Sequence, residues 1–350
     1  DLHRRRHSFP TRRSSDLALI ARMREHAVTD ISIEVSAQAM TQRRVDGLIF
    51  DVVGFTNLSH DHLDDYGTMD NYFKAKASLF TSAHARRGVV CLDSEYGEKF
   101  AADSHIPVVS ITSKSDVVAD WKVEVTEETP SRTGFVLTDN HGRTLSTHIP
   151  IIGAHMAHNA ALAIVMLDQA GYEFELIKSA LENGIDVYMP GRTERVSGNS
   201  GPDVYVDFGH SPDAFLNTLA AVRKVTTGKL IMVFGADGDR DATKRPAMAQ
   251  VSAQGSDLLV ITDHHPRFED PASIRRTLVD AAKTARPGLE VIEVSPPEQA
   301  IRVAVSMAKP GDSILWAGPG HQDYRDIRGV RTPYSARAEA RAALLEAGWN

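Results

Sequence analysis

Apolar residues recur along this chain with two periods. Near its start, ALIARMREHA (from Ala18) places them every three to four residues and predicts an amphipathic helix. DISIEVS (30–36) then predicts a buried strand, and VDGLIFDVVGFTNL a turn followed by another strand. NYFKAKASLFTSA predicts a helix and GVVCLD a short strand. Between about Ile106 and Ile152 the segments IPVVSITS, WKVEVTEE, TGFVLTD and LSTHIPII alternate apolar and polar residues, with Asn140–His141–Gly142 as a turn. That pattern predicts antiparallel strands appended to a parallel core. HMAHNAALAIVMLDQAG predicts a helix closing at Gly171 in a left-handed conformation, and FELIKSALENG a further helix.

Pro190–Gly191–Arg192 marks a boundary. Beyond it VYVDFG, KLIMVFGADGD, DLLVITD, LEVIEV and SILWAG predict strands, separated by helical stretches and followed by a final helix near Ala336–Ala347. The fold expected is therefore α/β in two units, 18–190 and 191–350, the second a doubly wound, Rossmann-like parallel sheet. Ligands of such sheets bind at the carboxyl ends of the strands. Polar clusters fall there: Asp207 and His210, Asp237 to Arg240, Asp263 to Arg267, and Gly318 to Gln322.

Composition adds exclusions. Hydrophobic residues make up 42% and charged residues 24%, as in ordinary globular proteins, and the net charge of −7 gives no general surface for nucleic acid. A single cysteine, Cys91, excludes an internal disulfide and fits a reducing cytoplasm. No apolar run reaches the roughly 20 residues of a membrane span, so no membrane insertion is expected. Residues 1–17, DLHRRRHSFPTRRSSDL, hold five arginines without a usable period. They read either as a basic tail or, preferably, as a disordered or non-native leader.

Several motifs carry chemistry. Asp61, His62 and Asp64 bring oxygen and imidazole donors within one turn, which suits a divalent metal but equally a polar helix start. Glu34 ends a predicted strand, where an acid either binds magnesium or is simply solvated. Lys74 and Lys76 cannot share a helix face, so one can sit on the surface while the other points into a site. ADGDRDATKRPAMA places Arg240, Lys244 and Arg245 after a strand, as a solvated loop or an anion site. His60, His62 and Asp64 would serve the alternative function, a metal-dependent hydrolase.

The ordered run IEVSAQAM, RVDGLIFDVVGFTNLSHDHLD and YGTMDNYFKAKASLF resembles the central domain of the Mur ligases. Within that family it is most similar to the members that add a diamino acid to UDP-N-acetylmuramoyl-L-alanyl-D-glutamate, and the likeness runs from Ala18 to the C-terminus. The resemblance implies a cytoplasmic ATP- and Mg2+-dependent ligase of peptidoglycan synthesis working through an acyl phosphate. Its partners would be the UDP-N-acetylmuramoyl-dipeptide and a free diamino acid, and a monomer is expected. By resemblance, Glu34 and His62 would bind magnesium, and Lys76 would be carbamylated to bind a second ion. Ser36 would lie near the muramoyl substrate. Asn159, Arg192, Asp207 and His210 would serve ATP. Arg240, His265, Arg267, Gly318 and Gln322 would receive the amino acid.

Departures from the family pattern narrow these expectations. The amino-acid motif Asp-Asn-Pro-Arg is here His264–His265–Pro266–Arg267, and Gly-Lys-Gly-His-Glu is Gly318–Pro319–Gly320–His321–Gln322. Arg267 points to meso-diaminopimelate, whereas the uncharged Gln322 points away from it and favours L-Lys or L-Orn. Phe-Asn before the Asn159 helix is His155–Met156, and Ser-Ser-His is Ser36–Ala37–Gln38. No G-x-x-x-x-G-K-[ST] phosphate loop occurs, so the expectation is an N-terminally truncated ligase that is inactive by itself.

Overall fold

The computed structural model describes residues 9–61 and 63–349. Two six-stranded sheets dominate it. The first runs in chain order: β1 (Phe50–Phe55), β2 (Ala85–Cys91), β3 (Val108–Thr112), β4 (Trp121–Thr129), β5 (Arg132–Asp139) and β6 (Thr144–Ile149). Strands β1 to β4 are parallel, while β4, β5 and β6 pair antiparallel. The expected antiparallel addition is thus part of the same sheet. The helix Ala154–Gln169 lies across it, burying Ala157, Ala161 and Val165 against Val89, Phe135 and Leu137. It approaches β1 so closely that a Cβ on Gly54 would stand 2.6 Å from Met166 Sδ. Gly171 has φ +99°, as its helix-closing role requires.

The second sheet has the order β11-β10-β9-β12-β8-β7. Strands β8 (Asp203–Asp207), β9 (Leu230–Phe234), β10 (Leu258–Ile261), β11 (Val291–Glu293) and β12 (Ser313–Ala317) are parallel, and β7 (Glu194–Arg195) is antiparallel to β8. LIMVF, LLVI and SILWA are buried along their whole length, as strands covered on both faces must be. Helices Pro212–Val225, Arg245–Gly255 and Pro271–Ala285 pack one face around Phe215, Phe234 and Leu278. Helices Pro297–Met307 and Ala336–Glu346 pack the other around Trp316. β12 inserts between β8 and β9, and in open α/β sheets ligands bind at the carboxyl ends of the strands beside such a change of strand order.

Three differences from expectation stand out. Residues 30–36, read as a strand, have no regular structure, and Ile31 and Ile33 are exposed. β1 is the edge of its sheet, and this segment does not pair with it, so the apolar alternation has nothing to be buried against. A helix, Glu95–Asp103, capped by Ser94, and a hairpin of β13 (Tyr324–Ile327) and β14 (Val330–Pro333) were not expected. Residues Phe9–Glu25 form one helix that passes through the proposed leader boundary at 17/18.

Candidate functional site

The central unit supplies a lysine in an unusual setting. Thr68 caps the helix Met69–Ala77 through Asn71 N–H (3.2 Å). On it Lys74 is exposed and ion-paired to Asp70 at 2.6 Å. Lys76 lies on another face, its ammonium 5.3 Å from the Tyr72 ring centre. Burial holds the Lys76 pKa below its ordinary value, and the Glu34 carboxylate opposes part of that shift. Glu34 and Lys76 are therefore electrostatic neighbours, although Glu34 is exposed and carried on irregular chain. His62 lies outside the described residues. Ser36 caps the helix Ala37–Thr41, accepting from Ala39 N–H at 3.1 Å. Asn159 is exposed on the long helix.

The loop after β1 crosses to the second unit. Asp61 pairs with Lys244 at 2.9 Å and faces His210 Nε2 at 3.7 Å, while His60 faces Asp241 at 3.5 Å. His60 and Asp61 thus meet cations and acids of the other unit, which gives the hydrolase alternative no metal cluster among the described residues. Of the three basic residues after β9, Lys244 is held by Asp61 and Arg245 by Glu269 at 2.8 Å; Arg240 is exposed.

The junction is built on Asp207, at the end of β8. One carboxylate oxygen accepts from Thr193 N–H (2.8 Å) and Thr193 Oγ1–H (3.2 Å), and the other from Gly209 N–H (2.7 Å). Asp207 C=O accepts from Gly318 and Gly320 N–H at 2.9 and 3.1 Å. Its part here is to fix three loops. Arg192 lies over the Phe208 ring at 4.8 Å, and His210 donates Nδ1–H to Phe208 C=O at 2.9 Å. Gly191, with φ +66°, sits against the Gly320–His321 peptide so tightly that a Cβ would stand 2.1 Å from it. A cavity of about 400 Å³ opens beside Arg192, lined from the first unit by Pro130, Ile151 and Ile152 and from the junction by Tyr188 and Met189.

At the carboxyl ends of β9, β10 and β12, Asp237, His264, His265, Arg267 and Gln322 converge. His265 is buried between His264 (ring centres 4.2 Å apart) and Tyr324 (5.5 Å). Its Nε2 meets Gln322 Oε1 at 2.7 Å, and its Nδ1 accepts from Asp326 N–H at 2.9 Å. Burial drives the His264 pKa down to about 3. Arg267, held at φ +48°, directs its guanidinium toward Asp237 at 3.7 Å. Gly318, with φ +112°, lies beside His264. The five residues expected to receive the amino acid therefore divide: His265, Arg267, Gly318 and Gln322 come together, and Arg240 stands apart on the surface. Asp237, which the sequence marks only as the start of the strand-end cluster Asp237 to Arg240 with no role of its own, joins them.

The comparisons divide the chain in the same place. Residues 11–167 match the Mur ligase middle domain and residues 191–320 the Mur ligase glutamate ligase domain. The UDP-N-acetylmuramoyl-L-alanyl-D-glutamate–2,6-diaminopimelate ligase of Streptomyces avermitilis is 38% identical over 342 residues, covering 96% of this chain and 67% of that protein. The chain belongs to the Mur ligase family.

Another relative of this Mur ligase, the UDP-N-acetylmuramyl-tripeptide synthetase of Leifsonia xyli subsp. xyli, is 56% identical over 334 residues, covering 95% of the chain. The chain spans 65% of that protein's length. A solved UDP-N-acetylmuramoyl-L-alanyl-D-glutamate–2,6-diaminopimelate ligase superposes with TM-score 0.57 at 26% identity, over 91% of this chain and 65% of that one. A Mycobacterium tuberculosis folylpolyglutamate synthase complexed with ADP and AMPPCP shares the fold at TM-score 0.58 and 20% identity, over 86% and 64%.

Proposed function

We propose that this chain carries the nucleotide junction and the amino-acid site of an ATP-dependent ligase of peptidoglycan synthesis. The reaction would join a diamino acid to UDP-N-acetylmuramoyl-L-alanyl-D-glutamate. The observation that carries this reading is the convergence of His265, Arg267 and Gln322 at the strand ends, in a chain whose relatives are named for that product. The uncharged Gln322 favours L-Lys or L-Orn over meso-diaminopimelate.

The residues fit the chemistry in outline. Lys76 is a desolvated amine, and its burial favours the neutral form that carbamylation requires, against the smaller opposing pull of the Glu34 carboxylate. Its carbamate, with Glu34 and His62, would hold Mg2+, which supplies charge neutralisation for transfer of a phosphoryl group to the substrate carboxylate. Arg192 and His210 would serve ATP where the two units meet, alongside Asn159. Asp207 would act by holding Thr193 and Gly209 in place. Closure of the two units would keep water from the acyl phosphate. The protein would work in the cytoplasm as a monomer.

The test is to graft the N-terminal segment of the Leifsonia relative ahead of Ala18 and assay ATP-dependent tripeptide formation. Product is expected with L-Lys or L-Orn. A folded graft that makes no tripeptide with any diamino acid would refute the reading, and preference for meso-diaminopimelate would refute the specificity.

A further inference from the structure

We propose that Asp237 is the specificity-determining carboxylate of the amino-acid site, taking the side-chain ammonium of the incoming diamino acid. His265 is then a positioning residue that holds position 322 as a neutral amide. This rests on the amino-acid reading given above.

The first part of the case is a proton count. His265 Nδ1 accepts the Asp326 N–H at 2.9 Å, so it carries no proton. The ring proton must be on Nε2, which donates to Gln322 Oε1 at 2.7 Å. The Gln322 amide is thereby oriented, with its carbonyl toward His265 and its nitrogen turned away. The two motif departures, His265 and Gln322, are 57 residues apart yet form one hydrogen-bonded unit. That unit is neutral and offers no negative charge to a second ammonium.

The second part is a search for the missing charge. Asp263 lines the small cavity beside His264 and Gln322, but it is bonded by Arg275 and by Ser295. Asp326 accepts from Gly329 N–H, and Asp239 from Phe268 N–H. Asp237 differs. Its Oδ1 is buried with no hydrogen-bond partner among the described residues. His264 Nε2 stands 3.7 Å from Oδ1, and Arg267 Nη2 stands 3.7 Å from Oδ2, both beyond hydrogen-bond length. The Arg267 guanidinium instead donates to Gly238 C=O. A carboxylate left unbonded beneath a neutral ring is costly until a donor reaches it. A primary ammonium, with three N–H donors, fits that need.

A metal ion fits less well. Ligand atoms of Asp237, His264 and His265 lie within 4.8 Å of one another, but both His265 nitrogens are already engaged. Ligation would break the bond to Asp326 or to Gln322.

The experiment is an NMR titration of the 350-residue chain with L-lysine, L-ornithine and L-norleucine, the last lacking the ammonium. The two diamino acids should bind at least roughly ten-fold more tightly than norleucine. Asp237→Asn and Asp237→Ser, each checked for an unchanged melting transition, should bring that ratio to about one, and Asp280→Asn, on the exposed face of the helix Pro271–Ala285, should leave it. The proposal is overturned if the ratio survives in both Asp237 variants, or disappears in Asp280→Asn. Equal binding of all three by the unaltered chain removes the role of Asp237 and leaves the amino-acid site standing. Binding of none removes both. Tight zinc binding that His265→Gln abolishes would overturn the proposal in favour of a metal site.

Discussion

The two ends of this molecule hold their chemistry in opposite ways. At the carboxyl ends of the second sheet, functional groups are buried and tied to backbone: Asp207 to Thr193 and Gly209, His265 to Asp326 and Gln322. In the first unit Glu34, Ser36 and Asn159 are exposed, and Ile31, Ile33 and Ile49 stand out of the core. The second site is organised by its own fold. The first is organised only around Lys76. A strand end inside a sheet supplies rigid backbone on both sides, whereas a strand edge supplies none.

The sharpest way to break this comparison is to substitute matched residues. Asp207→Ala removes the acceptor of three hydrogen bonds at a buried position and should cost about 2–4 kcal/mol, read as a lower denaturant midpoint of the C-terminal unit. Asn159→Ala, on an exposed helix face, should change stability by no more than about 0.5 kcal/mol. Equal losses would end the distinction between an organised and an open site.

A smaller effect is expected from acid. His264 is kept neutral by burial and takes a proton in the folded chain only near pH 3, against an ordinary value of 6.5. The unfolded chain binds that proton first, so stability falls as pH drops from 6.5 toward 3 and levels below that. Asp237 faces the ring and favours its charge; His265, His210 and Arg267 oppose it. His264→Gln should flatten the slope by up to one proton, measured as melting temperature against pH. An unchanged slope would place the sensitivity elsewhere.

The smallest effect separates two lysines on one helix. Lys76, its ammonium disfavoured by burial, should react faster than the Asp70-paired Lys74 with an amine reagent at pH 8, by mass spectrometry of the labelled chain. Faster labelling of Lys74 would remove the reason for assigning the carbamate to Lys76.

Much of the second sheet was legible because LIMVF, LLVI and SILWA are continuous apolar runs, and such runs have few alternatives to a doubly covered strand. The same rule misread DISIEVS, since alternation reports the ability to be buried and not the presence of a partner. The hairpin Tyr324–Pro333 escaped notice because β14 is exposed along its length and the turn carries no apolar signal. The helix Glu95–Asp103 is largely polar, although Ser94 before it is a capping residue. At the site, strand-end positions were readable from local sequence. The pairing of His265 with Gln322 was not, because it depends on the loops after β10 and β12 meeting across β9.

The ion pair between Asp61 and Lys244 has a consequence for how an anion would enter. Lys244 is almost wholly buried and already neutralised by a carboxylate from the opposite unit. A phosphate or carboxylate arriving there has to take Asp61's place, so its arrival is an exchange of counterions. The net gain is the difference between two pairings, and the His60–Asp241 contact at 3.5 Å, one residue away, holds the same loop in place against that exchange.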